Sequence, residues 1–277
     1  MLMAAAIVWN VSPEIFRIGS FAPRWYGLLF ALSFYAGYLV LTRVFKQEKV
    51  PIAVLDALVL YIGIAVLIGA RLGHCLLYEP GFYLQHPVDI LKIWQGGLAS
   101  HGAAVGILIA IYIFSKSYGK PYLWILDRVV MVTALAGFFI RMGNLMNSEI
   151  YGTETALPWG VVFAQAQETV PRHPAQIYEA LAYLAIFILL YGIYRKRGTT
   201  VKDGLYSGIF LTLVFAARFL IEFVKTPQVD FEKGMFLDMG QLLSIPFIAA
   251  GLALWCLHRG QKPQPEPIKK RPKREGR

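Results

Sequence analysis

Seven long apolar runs decide what this chain can fold into. A run of about 18 or more apolar residues reads as a membrane-spanning helix, because only internally bonded backbone survives in hydrocarbon. The runs lie at Tyr26–Phe45, Ile52–Leu77, Gly97–Ser115, Trp124–Ile140, Ala175–Tyr194, Gly204–Val224 and Asp238–Leu257. Composition agrees: 57% of the 277 residues are hydrophobic and 16% charged, against roughly 25% charged in ordinary soluble domains. The expected fold class is an all-α integral membrane protein of seven transmembrane helices. No internal repeat relates the runs, so the inverted-repeat pattern of transporters gains no support.

Residues 1–25 open with "MLMAAAIVWN", which has neither a basic start nor a small-residue cleavage site. They are expected to form a retained extracytoplasmic arm that does not span. The last segment, 258–277, "HRGQKPQPEPIKKRPKREGR", is basic and proline-rich, and is expected to be a disordered cytoplasmic tail. Lysine and arginine crowd one side: Arg43, Lys46 and Lys49, then Lys116, Lys120 and Arg128, then Arg195, Lys196, Arg197 and Lys202, and the tail. The positive-inside rule then puts the N-terminus outside and the C-terminus in the cytoplasm. The net charge of +10 is accounted for by topology and is no nucleic-acid footprint. Cys75 and Cys256 fall near opposite ends of their spans, too far apart to bridge, and read as small buried apolar residues.

With that topology the polar residues of the spans collect just inside the outer face, and the inner halves offer almost no polar lining. Arg71 lies in the outer part of the second span, Arg141 closes the fourth, and Arg218 precedes Glu222 by four residues in the sixth. The run "GFFIRMGNLMNSEIYG" ends an oily segment in Arg141, Asn144, Asn147, Ser148 and Glu149. Ionisable residues at such depth face a cavity or a partner. Three arginines at one level predict a cavity for an anion, and guanidinium forks suit phosphate. Structural readings stand beside this one. Arg71 could snorkel to the interface or pair with a carbonyl. Arg218 and Glu222 could be a self-satisfied pair. Gln176 and Glu179 could serve only as interhelical hydrogen-bond partners. Asp238 with Gln241 fits a capping box, and Pro174 is placed at the first helical position after His173. His101 could be a structural residue, and Trp25 and Tyr26 could be interfacial aromatics. Neither an H-E-x-x-H zinc motif nor a G-x-S-x-G elbow occurs, and no tight metal-ligand spacing is seen.

"RMGNLMNSE", in order with "RWYGLLF", "GARLGHCLLY", "GGLASHGAAVG", "RHPAQIYEA", "RFLIEFVKTP" and "MGQLLSIP", resembles the bacterial prolipoprotein diacylglyceryl transferase family. The resemblance covers about Phe16 to Arg259. The chain departs from the usual pattern at Ala103, Ile140, Ser148, Val214 and Lys225, and its Tyr151–Arg172 loop looks short. The resemblance implies transfer of the sn-1,2-diacylglyceryl group of phosphatidylglycerol onto the lipobox cysteine of a preprolipoprotein, leaving a thioether and glycerol-1-phosphate. It implies no cofactor and no metal, and a site facing the outer leaflet of the bacterial cytoplasmic membrane. On that reading Arg141 takes the lipid phosphate, with Asn144, Asn147 and Glu149 shaping the headgroup pocket. Arg218, oriented by Glu222, stabilises the leaving group. His101 is the candidate general base, since imidazole titrates near neutrality; a thiol whose pKa is lowered beside the arginines would do without it. Tyr26 and Arg71 are expected as outlying substrate contacts. The alternative function is a non-catalytic anionic-phospholipid binding or transport protein.

Overall fold

A computed structural model of the chain describes residues 7–226 and 236–260. Seven helices among them are long and apolar enough to cross a membrane. They are α1 (Trp25–Gln47), α2 (Ile52–Leu77), α4 (Ser100–Tyr118), α5 (Tyr122–Met146), α6 (Ala175–Arg197), α7 (Leu205–Glu222) and α8 (Met239–His258). A short helix α3 (Pro80–Gln85) lies in the α2–α4 connection. The expected all-helical, seven-span architecture is therefore present. Most boundaries agree within a turn, but α5 continues six residues past Ile140. It carries Arg141 and Asn144 inside the helix rather than after it: Arg141 faces Glu179 of α6, and Asn144 bonds Arg141 and Glu149. Asp238 forms the expected capping box with Gln241. Pro174 is the N-cap of α6 and not its first helical residue.

Packing pairs the helices as α1 with α5, α2 with α4, α5 with α6, and α7 with α8. The α2–α4 contact is backbone-close: a Cβ on Gly73 would come within 2.6 Å of the Gly102 Cα, so only glycine fits there. The main apolar core lies toward the end of the bundle that holds Arg128, built from Val44, Phe45, Leu55, Phe114, Ile125 and Leu190 among others.

That same end contradicts the expectation of apolar inner halves. Arg128 is buried in α5 rather than lying in a loop, and its Nη2 donates to both Glu48 oxygens at 2.7 and 2.9 Å. The Tyr194 hydroxyl donates to the same Glu48 carboxylate at 2.8 Å. Beside them the buried Asp127 accepts from the backbone N–H groups of Gly204 and Ser207 and from the Ser207 hydroxyl, capping α7 from a neighbouring helix. The network ties α1, α5, α6 and α7 together, with Arg128 Nε left without a hydrogen bond among the described residues. Cys75 is buried as expected, but Cys256 is exposed on α8, since that helix packs mainly on α7 and leaves its other faces uncovered.

At the opposite end the N-terminal arm is packed. Strand β1 (Ile7–Trp9) pairs in parallel with β2 (Val161–Phe163), and the Trp9 indole donates to the Leu145 carbonyl at 3.1 Å. Residues 1–6 of the arm and nearly all of the expected tail fall outside the described residues.

Candidate functional site

Two glycines shape the surroundings of Arg141. A Cβ on Gly143 would sit 2.8 Å from the Tyr26 ring, and one on Gly137 2.8 Å from the Tyr183 ring. Their absence lets tyrosines from α1 and α6 press against α5 within a turn of Arg141. Beyond Met146 the chain doubles back. Asn147 donates its backbone N–H to the Gly143 carbonyl, and Ser148 and Glu149 do likewise to Leu145 and Asn144. Ser148 (φ +52°) and Ile150 (φ +59°) sit in the left-handed region, which costs a non-glycine residue about 1–3 kcal/mol. The return places the Glu149 carboxylate over the helix end, where Oε1 accepts from Asn144 Nδ2 at 2.8 Å and Asn147 Nδ2 at 3.3 Å. The Gln176 amide, from α6, fixes the Glu149 carbonyl at 2.6 Å.

Arg141 does not stand in an empty anion cavity. Its Nε lies 2.8 Å from Glu179 Oε2, its Nη1 donates to Asn144 Oδ1 at 3.1 Å, and Tyr183 approaches the same guanidinium. Glu179 is fully buried and shares its other oxygen with Lys225 at 3.3 Å. Lys225 in turn lies 3.4 Å from Glu222. The expected Arg218–Glu222 pair is therefore absent among the described residues: Glu222 turns to Lys225. Arg141 and Lys225 are offset by Glu149, Glu179 and Glu222. Arg218, half-buried on α7, has no hydrogen bond or ion pair with any described residue, yet it acts electrostatically on Tyr183, as Arg141 does. It is the cation left over.

Arg71, expected as an outlying substrate contact, is engaged with backbone carbonyls. It is 3% exposed and spends its guanidinium on the carbonyls of Asp89, Ile90, Gly96 and Gly97 at 2.6–3.2 Å, while stacking over Tyr83. It organises the α2–α4 connection, so the carbonyl-pairing reading holds. His101 stands in the first turn of α4, exposed, with no hydrogen bond or ion pair among the described residues, on the rim of an apolar groove of about 700 Å³ between α2 and α4. The structure brings together Arg141, Asn144, Asn147 and Glu149, with Tyr26 near them, and sets Arg218 beside Tyr183. It does not link His101 to them. Sequence reasoning gave Glu179 no more than an even share in the site, noted Lys225 only as a departure from the family pattern, and passed over Tyr183. The position of Glu179 in "RHPAQIYEA" was the available signal.

A polar pocket of about 500 Å³ adjoins the cluster, lined by Ser148, Glu149, Tyr151, Glu168, Arg172 and Lys225, among others. The Tyr151 hydroxyl donates to Glu168 at 2.7 Å and the Arg172 Nε at 2.9 Å. The Tyr151 hydrogen bond holds the Glu168 carboxyl below the usual carboxylate range, against desolvation and with help from Arg172. Five buried side-chain polar atoms among the described residues lack a hydrogen bond, and four belong here: Asn147 Oδ1, Ser148 Oγ, Gln176 Oε1 and Glu179 Oε2. The Glu179 oxygen has its ion pair with Arg141 but no aligned donor. Unmet hydrogen bonds concentrated in one place call for a water, an ion or a ligand.

The sequence model of the prolipoprotein diacylglyceryl transferase family matches residues 13–257. A Tolumonas auensis protein named phosphatidylglycerol–prolipoprotein diacylglyceryl transferase is 49% identical over 257 residues, covering 92% of this chain and 99% of its own. Proteins of the same name from Chloroherpeton thalassium and Porphyromonas gingivalis are 46% and 42% identical, covering 90% and 95% of this chain and 92% and 97% of their own.

Proposed function

The chain belongs to the prolipoprotein diacylglyceryl transferase family, and from that premise we propose that it moves the diacylglyceryl group of phosphatidylglycerol onto a cysteine thiol of a prolipoprotein. The acceptor is the lipobox cysteine behind a signal peptide. The reaction runs at the outer leaflet of the cytoplasmic membrane, with the Arg141 end of the bundle outward.

Chemically, the thiolate attacks C3 of the diacylglyceryl group, the C3–O bond to phosphorus breaks, and a C–S bond forms. The electron pair leaves on the phosphate oxygen, so glycerol-1-phosphate departs. Two demands follow: the thiol must lose its proton, and charge on the phosphate must be held. Arg218, whose guanidinium has no carboxylate partner among the described residues, meets the second demand most directly. Arg141, held by Glu179 and Asn144, presents its remaining edge from a fixed position. Such preorganised charge is worth more than a flexible cation, since nothing has to reorient at the transition state. His101 serves as the base. Its imidazole has no hydrogen bond among the described residues and stands on the side of the bundle that carries Arg141, because α4 and α5 are consecutive spans running in opposite directions.

The observation that carries this reading is Arg218, unpaired among the described residues, beside a cluster rich in unmet hydrogen bonds in a chain that matches the family model. The test is direct. Purified protein, phosphatidylglycerol and a lipobox peptide are incubated, and the peptide mass and released phosphate ester are followed. A diacylglyceryl thioether formed with one glycerol phosphate per product is the expected result. Lipid binding without either product would leave the non-catalytic reading in its place.

A further inference from the structure

We propose that the apolar groove between α2 and α4 is the docking track for the acceptor's signal peptide, which lies in it as a helix with its cysteine end at His101. The proposal rests on the transfer reading above and names how the second substrate of that reaction is held.

The walls come from a step of four on each helix. On α2 the groove is lined at every fourth residue from Leu60 to Leu76, and on α4 from His101 to Ile113. Residues four apart stand on one ridge of a helix. The floor is backbone: a Cβ on Gly69 would come within 2.5 Å of the Gly102 carbonyl oxygen, and one on Gly106 within 2.5 Å of that of Ala65. With the two backbones this close, the ridges rise on either side of a trough, and a third helix fits between them. Leu60, Ile68, Leu76, Val105 and Ile109 are 53–61% exposed, so the trough is open among the described residues.

Length and charge name the occupant. From Leu60 to Leu76 the groove runs about 24 Å along α2, at the rise of a helix. The apolar segment of a signal peptide has about 7–15 residues, or about 10–23 Å as a helix. Such a peptide carries positive charge ahead of that segment, and a prolipoprotein carries its cysteine behind it. The groove has the complementary order. Asp56, one step of four below Leu60 on the same ridge, is exposed at the end of the bundle that holds Arg128, the cytoplasmic end on this topology. It accepts from the Tyr38 hydroxyl at 2.9 Å and has no ion pair among the described residues. Between Asp56 and His101 the lining carries no charge. An acyl chain would match the middle of this order but has no use for a carboxylate at the far end.

The test uses the full-length protein in nanodiscs containing phosphatidylglycerol, with a complete prolipoprotein signal peptide that bears a photoreactive residue in its apolar segment. Irradiation should cross-link the peptide to α2 between residues 60 and 76 and to α4 between residues 101 and 113. Ile109→Trp fills the trough from an exposed position, so the protein should fold as before. Its KM for peptide should rise about tenfold or more, with the KM for phosphatidylglycerol unchanged. Asp56→Lys should raise the KM severalfold for a peptide with a lysine-rich start, and a peptide with glutamates there should recover the loss. Cross-links elsewhere, or a KM for peptide unmoved by both variants, would overturn the proposal. A shift confined to the KM for lipid would also overturn it and make the groove an acyl-chain site. Wild-type protein that cross-links the peptide between α2 and α4 yet forms no thioether would count against the transfer reading and leave the docking track standing.

Discussion

Arg218 and Arg141 differ in what depends on them, and that difference can be measured. Arg218 has no described partner, so Arg218→Ala should leave the unfolding midpoint near wild type while lowering kcat/KM about 100-fold or more, as loss of a preorganised charge does. Arg141→Ala should lose activity and also stability, because Glu179 stays buried with only Lys225 to offset it, a cost of about 3 kcal/mol or more. Adding Glu179→Gln should restore the midpoint of that variant and not its turnover. Arg141→Lys should remain impaired, since an ammonium cannot meet Glu179 and Asn144 in two fixed directions. Turnover and thermal midpoint measured on the same preparations decide each case; an Arg218→Ala enzyme of normal turnover would refute the phosphate role. His101→Gln is expected to lose most activity at neutral pH and to regain part of it as pH rises and the thiol ionises unaided. A uniform loss across the pH–rate profile would make His101 structural.

Among the elements, α5 carries both polar networks, one at each end. At the Arg128 end the pair with Glu48 is buried on both sides, 3% and 5% exposed, so removing one partner strands the other. Arg128→Met should lower stability by about 3–5 kcal/mol, while Arg128→Met combined with Glu48→Leu should recover much of it. A single variant as stable as wild type, by thermal unfolding in detergent, would show that the pair does not hold the bundle. The spans were legible in the sequence because apolar runs of helical length admit one reading in a membrane. The end of α5 was not, because Arg141 and Asn144 look like a boundary until partner helices are known. Glu179 and Lys225 lie 46 positions apart, and no local pattern announces an ion pair between α6 and the chain just past α7. For the same reason Arg218 was expected to pair with Glu222, its neighbour on α7. The Ser148 departure was visible in the sequence, but its positive φ and unpaired hydroxyl appear only once the chain is seen to double back.

At the scale of the whole molecule, the bundle is closed by apolar packing and a polar network at the Arg128 end, and by the β1–β2 arm and a ligand-competent cluster at the Arg141 end. That asymmetry agrees with basic residues on one side and the proposed chemistry on the other. Reporters placed after Arg277 and in the 154–156 loop should therefore read cytoplasmic and external respectively; both on one side would break the topology. The account joins a reaction to an orientation, and a single measurement tests both. Protein is reconstituted with phosphatidylglycerol into sealed vesicles, and the fraction with a protease-protected C-terminal tail is determined. A membrane-impermeant lipobox peptide is then added outside. Thioether product should form in proportion to the tail-protected fraction and rise when detergent opens the vesicles. Product proportional to the tail-exposed fraction, or none in either state, would contradict the account.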